Sequence, residues 1–226
     1  MPNLFGLLIT IFMFKLFEYL KKYPILKKIP PILSAGFIII LILENFNIKF
    51  ETYNESACFL TFLLIPATIS LGVPLFKNKD ILTTNKRIIY PALIFSSIFG
   101  VLSVYLISKL FKIDFIILAS LIPKSTTSPI AVEISKIISG LPSLTACIVV
   151  ITGVFGAVFG HKLLKLFKIK NDISIGLSIG STTHVMGTSS CAEKGSERQV
   201  AVSTLALILT GIITAIIAPI FINFIK

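Results

Sequence analysis

Two stretches of this 226-residue chain hold polar side chains inside otherwise apolar sequence, and the chemistry they allow is anion binding. The first is LIPKSTTSPIAVEISK at 121–136. It sets Lys124 beside the hydroxyls of Ser125, Thr126, Thr127 and Ser128, with Glu133 further on. Pro123 and Pro129 bracket it, and because proline lacks an N–H and biases its predecessor away from helical angles, the helix must break here. Ser128 then reads as an N-cap and Pro129 as the first residue of a half-helix, whose free N–H groups suit a carboxylate. A buried ammonium is costly without a partner, so Lys124 should meet an anion or a wet cavity; the alternative is a shallower tip with Lys124 reaching headgroups. Glu133 is spaced to pair with Lys136, or to reach Lys124 or carry a coupling proton.

The second stretch, residues 173–193, places His184 among Thr182, Thr183 and Thr188, with Gly180 and Gly187 flanking it. A histidine titrating near neutral pH suits a hydrogen bond to substrate or a proton relay, and equally a hydrogen-bonded packing role. If both tips share one site, anion binding strengthens as pH falls through the histidine's pKa. There is no HExxH, no GxSxG and no pair of membrane-depth aspartates, so an enzyme is not expected. No cofactor is implied.

These tips must be held by elements that cross a bilayer. The chain is 55% hydrophobic and 14% charged, with a mean hydropathy of +0.96, and its apolar runs are of helix-span length, which predicts an all-α integral membrane protein in a bacterial-type cell membrane. The net charge of +11 is carried mainly in connectors and makes no basic face with stacking aromatics, so the lysines read as orientation signals and nucleic acid is not an expected partner. Cys58, Cys147 and Cys191 are three widely spaced residues without disulfide or metal spacing, and are expected to be packing residues. The apolar run at 4–20 has its lysines behind it, and so reads as a retained first span and not a signal peptide.

In order, spans are expected at 4–20, 32–43, 58–76 with a kink at Pro66, 88–110, 143–160 and in the last segment. Lys21, Lys22, Lys27 and Lys28 mark a cytoplasmic connector, as do Lys77, Lys79, Lys86 and Arg87, while Glu44, Glu51 and Glu55 suit the outside. The basic loop 161–170 should also be cytoplasmic. That forces 113–140 to leave and return on the outer side, as a re-entrant hairpin with arms 113–122 and 129–139 of half-membrane length. The expected fold is six spans plus two opposed re-entrant hairpins; the alternative is eight full spans. Ser125-Thr-Thr recurs as Ser181-Thr-Thr, and Thr152-Gly153 with Ala157 recurs as Thr210-Gly211 with Ala215, at nearly equal offsets. Units 113–170 and 171–226 then form an inverted repeat behind a four-span scaffold, 1–112, in a single membrane domain.

PKSTTSPIAxEIS at 123–135, GLPSLTA at 140–146, TGxxGAxFG at 152–160 and HxxGT at 184–188 occur in an order that resembles the LrgB/CidB family. The resemblance covers most of residues 113–220. It implies an antiholin-like membrane protein regulating murein hydrolase export and lysis, with a small LrgA-type membrane protein as companion, or a carrier, since the plant relative moves glycolate and glycerate across the chloroplast envelope. Carried over by position, the motifs fall on Lys124 to Ala131 and Glu133, and on His184, Gly187 and Thr188. Two departures stand out: KSTTSP here replaces KSVTTP, which keeps hydroxyls at the tip, and His184-Val185 replaces His-Gly, which removes a glycine beside the histidine. The reading is a secondary transporter of small carboxylates (glycolate, glycerate or pyruvate-like), with a proton as candidate coupling ion and a homo-oligomer as the expected assembly, and with the lysis regulator as the alternative.

Overall fold

A computed structural model describes residues 4–23 and 30–225, so Lys27 and Lys28 of the first connector lie outside the described residues. Their regular elements are all helices, with no strand among the described residues. They fall into two compact units, Met1–Ile69 and Ser70–Lys226.

In the first unit α1 (Phe5–Leu20) packs on α2 (Pro31–Asn45) and on α3 (Phe50–Ser56). Gly6 permits the close approach, since a Cβ there would collide with the Tyr53 carbonyl and Ser56 Oγ. Its N–H donates to Ser56 Oγ at 2.8 Å, and Thr10 Oγ1 lies 2.7 Å from Tyr53 Oη. The expected spans 4–20 and 32–43 correspond to α1 and α2. The expected span 58–76 falls on the helical stretch Cys58–Lys77, which single-residue turns divide into α4 (Cys58–Phe62), α5 (Leu64–Ser70) and α6 (Gly72–Lys77), with α6 in the second unit. Pro66 and Pro74 account for the divisions, because each lacks an N–H and crowds the carbonyl four residues earlier. The apolar length of Cys58–Lys77 still suffices to cross a membrane.

The second unit continues with α7 (Lys79–Thr84), α8 (Lys86–Leu110), α9 (Phe115–Leu121), α10 (Ser128–Ile137), α11 (Pro142–Leu166), α12 (Asp172–Lys194) and α13 (Glu197–Ile225). Helices α8, α11 and α13 are each long and apolar enough to span. On α8, Ile89, Leu93, Ser97, Val101, Val104 and Ser108 recur every three or four residues and are buried. The opposite face shows Ile88, Phe95, Phe99 and Leu106. A helix apolar on both faces needs an apolar solvent on one of them, which a bilayer supplies. Helix α11 runs through Leu166, so the basic stretch at 161–170 is helical over its first half, the loop being shorter than expected.

Two apolar clusters lie along α8. Val101 and Val104 pack with Leu118, Ile122, Ile134 and Ile138, and with Ala218 and Ile222 near the end of α13. Ile89 and Leu93 pack with Leu177 of α12 and with Val202, Leu205 and Ala206 near the start of α13. The α9–α10 segment and the beginning of α12 thus rest on opposite ends of α8 and α13. Of the cysteines expected to pack, only Cys191 is buried; Cys58 and Cys147 are exposed on outward helix faces, where a small apolar side chain meets lipid as readily as core.

Helix α12 is not straight. At 23 residues it would extend about 35 Å, yet Asp172 at its start bonds Ser196 and Gln199 just beyond its end, at 3.0 and 2.7 Å. The chain therefore doubles back, and it does so at His184, the one residue of α12 with non-helical angles (φ 44°, ψ −137°). Among the described residues four other non-glycine residues have positive φ: Asn47, Lys112, Ser139 and Lys168. Each follows a helix end, and the next N–H returns to a carbonyl five residues back at 2.8 to 3.0 Å, as in Ile48 to Leu43 and Ile169 to Leu164. These are ordinary left-handed caps; His184 is a different device.

Candidate functional site

The first break spans 122–127. Past α9 the backbone keeps tight turns, with Lys124 N–H donating to the Leu121 carbonyl at 3.2 Å and Thr126 N–H to the Pro123 carbonyl at 3.0 Å. The Thr127 carbonyl then receives Ala131 N–H at 2.8 Å, the first bond of α10, so Thr127 and not Ser128 is the N-cap. The expected cap was one residue late because Ser128 already has its place inside the first turn, with Pro129 behind it. Thr127 Oγ1 is buried and bonds to no protein group. Lys124 is half-buried, its Nζ 3.4 Å from Ser125 Oγ, and no carboxylate of the described residues lies within ion-pair distance. Glu133 pairs instead with Lys136 at 2.7 Å on the exposed face of α10, the i to i+3 spacing read in the sequence.

Hydroxyls tie the root of this segment. Ser120 Oγ accepts from Leu141 N–H at 2.7 Å, and Thr145 Oγ1 donates to the Ser120 carbonyl at 2.9 Å while lying 2.7 Å from Ser135 Oγ. Helices α9, α10 and α11 meet there. Gly140 fits only for want of a side chain, since a Cβ would come 2.9 Å from Ser120 N.

At the second break the polar groups are largely consumed by their own helix. Thr182 Oγ1 donates to the Ser178 carbonyl and is exposed, Thr183 donates to Ile179, and Thr188 to His184, at 2.6 to 3.0 Å. His184 is buried, with Nε2 donating to the Val149 carbonyl of α11 at 2.9 Å. A Cβ at Gly153 would come 2.6 Å from the His184 ring, and one at Gly156 or Gly187 would strike Thr183. Along the other side Gly176 and Gly180 lie on α13, where a Cβ would meet Val202 at 2.7 Å and the Ser203 carbonyl respectively. The reversal is packed on both faces.

The two breaks meet at a small cavity of about 10 Å³, room for about one water. Ser125 from the first break and Ser181 from the second line it, with Ser96 and Ser97 of α8 and Thr210 and Thr214 of α13. Ser96 Oγ donates to Ser181 Oγ at 3.0 Å. Of the residues expected at the site, Ser125 lies on this cavity and Lys124 is next to it; Thr126 is turned into the Pro123 carbonyl, and Thr182, Thr188, Gly187, His184 and Glu133 are not on its wall. The α8 serines and α13 threonines were missed. Thr210 carried a signal, as the start of the repeated Thr-Gly-x-x-x-Ala.

Fold and site together define a multi-pass cell-membrane protein whose buried polar groups collect where two helices are interrupted. The chain belongs to the LrgB-like family, whose model matches residues 10–224. It is similar to the antiholin-like protein LrgB of Bacillus mycoides (strain KBAB4), 33% identical over 195 residues, which is 86% of this chain and 84% of that protein. The proteins of the same name from Bacillus cereus (strain B4264) and Bacillus anthracis (strain CDC 684 / NRRL 3495) are 32% identical over the same shares. No solved structure matches the chain.

Proposed function

We propose that this protein is a secondary transporter of small carboxylates of the glycolate, glycerate or pyruvate type, not an enzyme, binding its anion at the first break beside the shared cavity. The carrying observation is Lys124, half-buried beside a hydroxyl-lined cavity with no acidic partner among the described residues. The anion rests on Lys124, Ser125 and the open start of α10, formed by Thr127 and Ser128, where backbone N–H groups add to the charge. Thr126, Thr183, Gly187 and His184 hold the two breaks in shape around it.

The accompanying topology is six spans and two re-entrant hairpins that point at each other, an inverted repeat of 113–170 and 171–226 behind the scaffold 1–112. Support comes from the closeness of the two ends of α12, from the Ser120–Leu141 bond at the root of the first hairpin, and from Ser125 and Ser181 sharing one cavity. A proton is the proposed coupling ion, and a homo-oligomer with an LrgA-type membrane protein the working assembly.

Flux of labelled glycolate, glycerate and pyruvate into proteoliposomes tests the reading. Wild type should move at least one, and Lys124→Ala should raise its KM about tenfold or more, while a folded Lys124→Ala variant with unchanged flux would refute it. The second reading, a lysis regulator acting with the LrgA-type protein, is favoured by the antiholin-like names of the relatives. It expects murein hydrolase release to respond to disruption of the partner contact and not to Lys124.

A further inference from the structure

We infer that the serines of α8 and the threonines of α13 form a specificity socket for one uncharged oxygen of the transported anion, its hydroxyl or carbonyl oxygen, separate from the carboxylate held at Lys124. The inference rests on the carrier reading and names what that site selects. Its ground is the cavity lined by Ser96, Ser97, Ser125, Ser181, Thr210 and Thr214. Ser97 and Thr210 are only 4% and 1% exposed, and neither Oγ makes a hydrogen bond to the protein although both residues line the cavity. Buried hydroxyls are as a rule bonded, as Ser96 and Ser181 are to each other on this wall; two orphans lining one cavity point to a guest with hydrogen-bonding capacity.

Size and charge narrow that guest. About 10 Å³ accepts a single oxygen function and not a whole carboxylate. The six named side chains carry no formal charge, so an anionic group would lack its counter-ion there, whereas hydroxyls both donate and accept and therefore suit an alcohol or a ketone equally. A metal cation is disfavoured by the neighbouring ammonium, since Lys124 Nζ sits 3.4 Å from Ser125 Oγ. Ser125 belongs to both places, bonded to Lys124 and lining the cavity, so one small molecule can reach from one to the other, its carboxylate at Lys124 and its adjacent oxygen in the socket. An alkyl group in the socket would leave Ser97 and Thr210 unpaired, which is how a polar site rejects an analogue lacking one oxygen.

Lactate, pyruvate and propionate share a three-carbon skeleton and differ at the second carbon, so their fluxes through the full chain in proteoliposomes separate the two contacts. Wild type should have a KM for lactate or pyruvate about tenfold below that for propionate. Ser97→Ala and the near-isosteric Thr210→Val should each raise the KM for the oxygen-bearing anions about fivefold and leave propionate unchanged, and Thr210→Ser should restore discrimination. Lys124→Ala should weaken all three alike. Wild-type flux without discrimination, or an unchanged ratio in folded Ser97→Ala and Thr210→Val, overturns the socket alone and leaves a structural water site. If wild type moves no carboxylate of any kind, the carrier reading fails and the socket with it.

Discussion

The first break keeps residues 122–127 out of regular helix by means of Pro123 and Pro129; the second reverses the chain at His184 alone. The proline break leaves Thr127 Oγ1 without a protein partner and the Lys124 ammonium with only a long bond to the Ser125 hydroxyl. The single-residue reversal leaves almost none, since Thr182, Thr183 and Thr188 bond to carbonyls of their own helix and the His184 ring to Val149. Similar hydroxyl-rich sequence therefore gives two results: an open tip with a polar group left unpaired, and a tight corner that brings Ser181 to the same cavity. How many residues leave the helix decides which.

The contrast breaks most visibly if the second corner tolerates bulk. Gly180→Ala would put a methyl into the Ser203 carbonyl, where overpacking should remove about 1–3 kcal/mol, read as a lowered Tm in detergent. Gly36→Ala, with nothing within 4 Å, should leave Tm unchanged or slightly higher. Equal melting of the two would mean the corner is loosely packed. A smaller effect is expected from His184→Gln, which loses or weakens one buried bond to Val149, about 0.5–1.5 kcal/mol, with the KM of the anion within about twofold of wild type. Flattening of the pH profile of flux by His184→Gln would instead move His184 from the corner to the guest.

The smallest effect sits at the closed end of the second segment. The Gln199 amide and then the Ser196 hydroxyl, both donating, hold the Asp172 carboxyl below its ordinary pKa. A depressed folded pKa means the bonds stabilise the fold above the unfolded pKa of Asp172, and that this contribution is lost as pH falls through the folded one. Asp172→Asn should lower Tm slightly at neutral pH and shrink the loss of Tm across the acid range; an unchanged acid slope would show that the two ends of α12 are held together by packing alone.

Much of this was legible in the residues. Pro123 and Pro129 announce a break by covalent chemistry, independent of context. The motif order identified the family. The position of the reversal within 173–193 was legible, because glycines and hydroxyls cluster about His184, but its economy was not: whether a threonine faces a guest or its own i−4 carbonyl depends on which side neighbours pack. Ser96 and Ser97 gave no signal for the same reason. A serine in an apolar helix satisfies itself on the preceding turn as readily as it lines a cavity, and only the approach of α12 and α13 to α8 selects the second.

The reversal of α12 also bears on how the protein is made. Its arms are roughly 15 Å each and rich in hydroxyls and glycine, so neither has the length nor the apolarity to enter a bilayer as an independent span. It lies between α11 and α13 through glycine contacts at Gly153, Gly156, Gly176 and Gly180. Of these neighbours α11 is synthesised before it and α13 after it. The reversal of α12 therefore gains its second packed wall only once α13 has been made, so that α13 completes the packing of this corner.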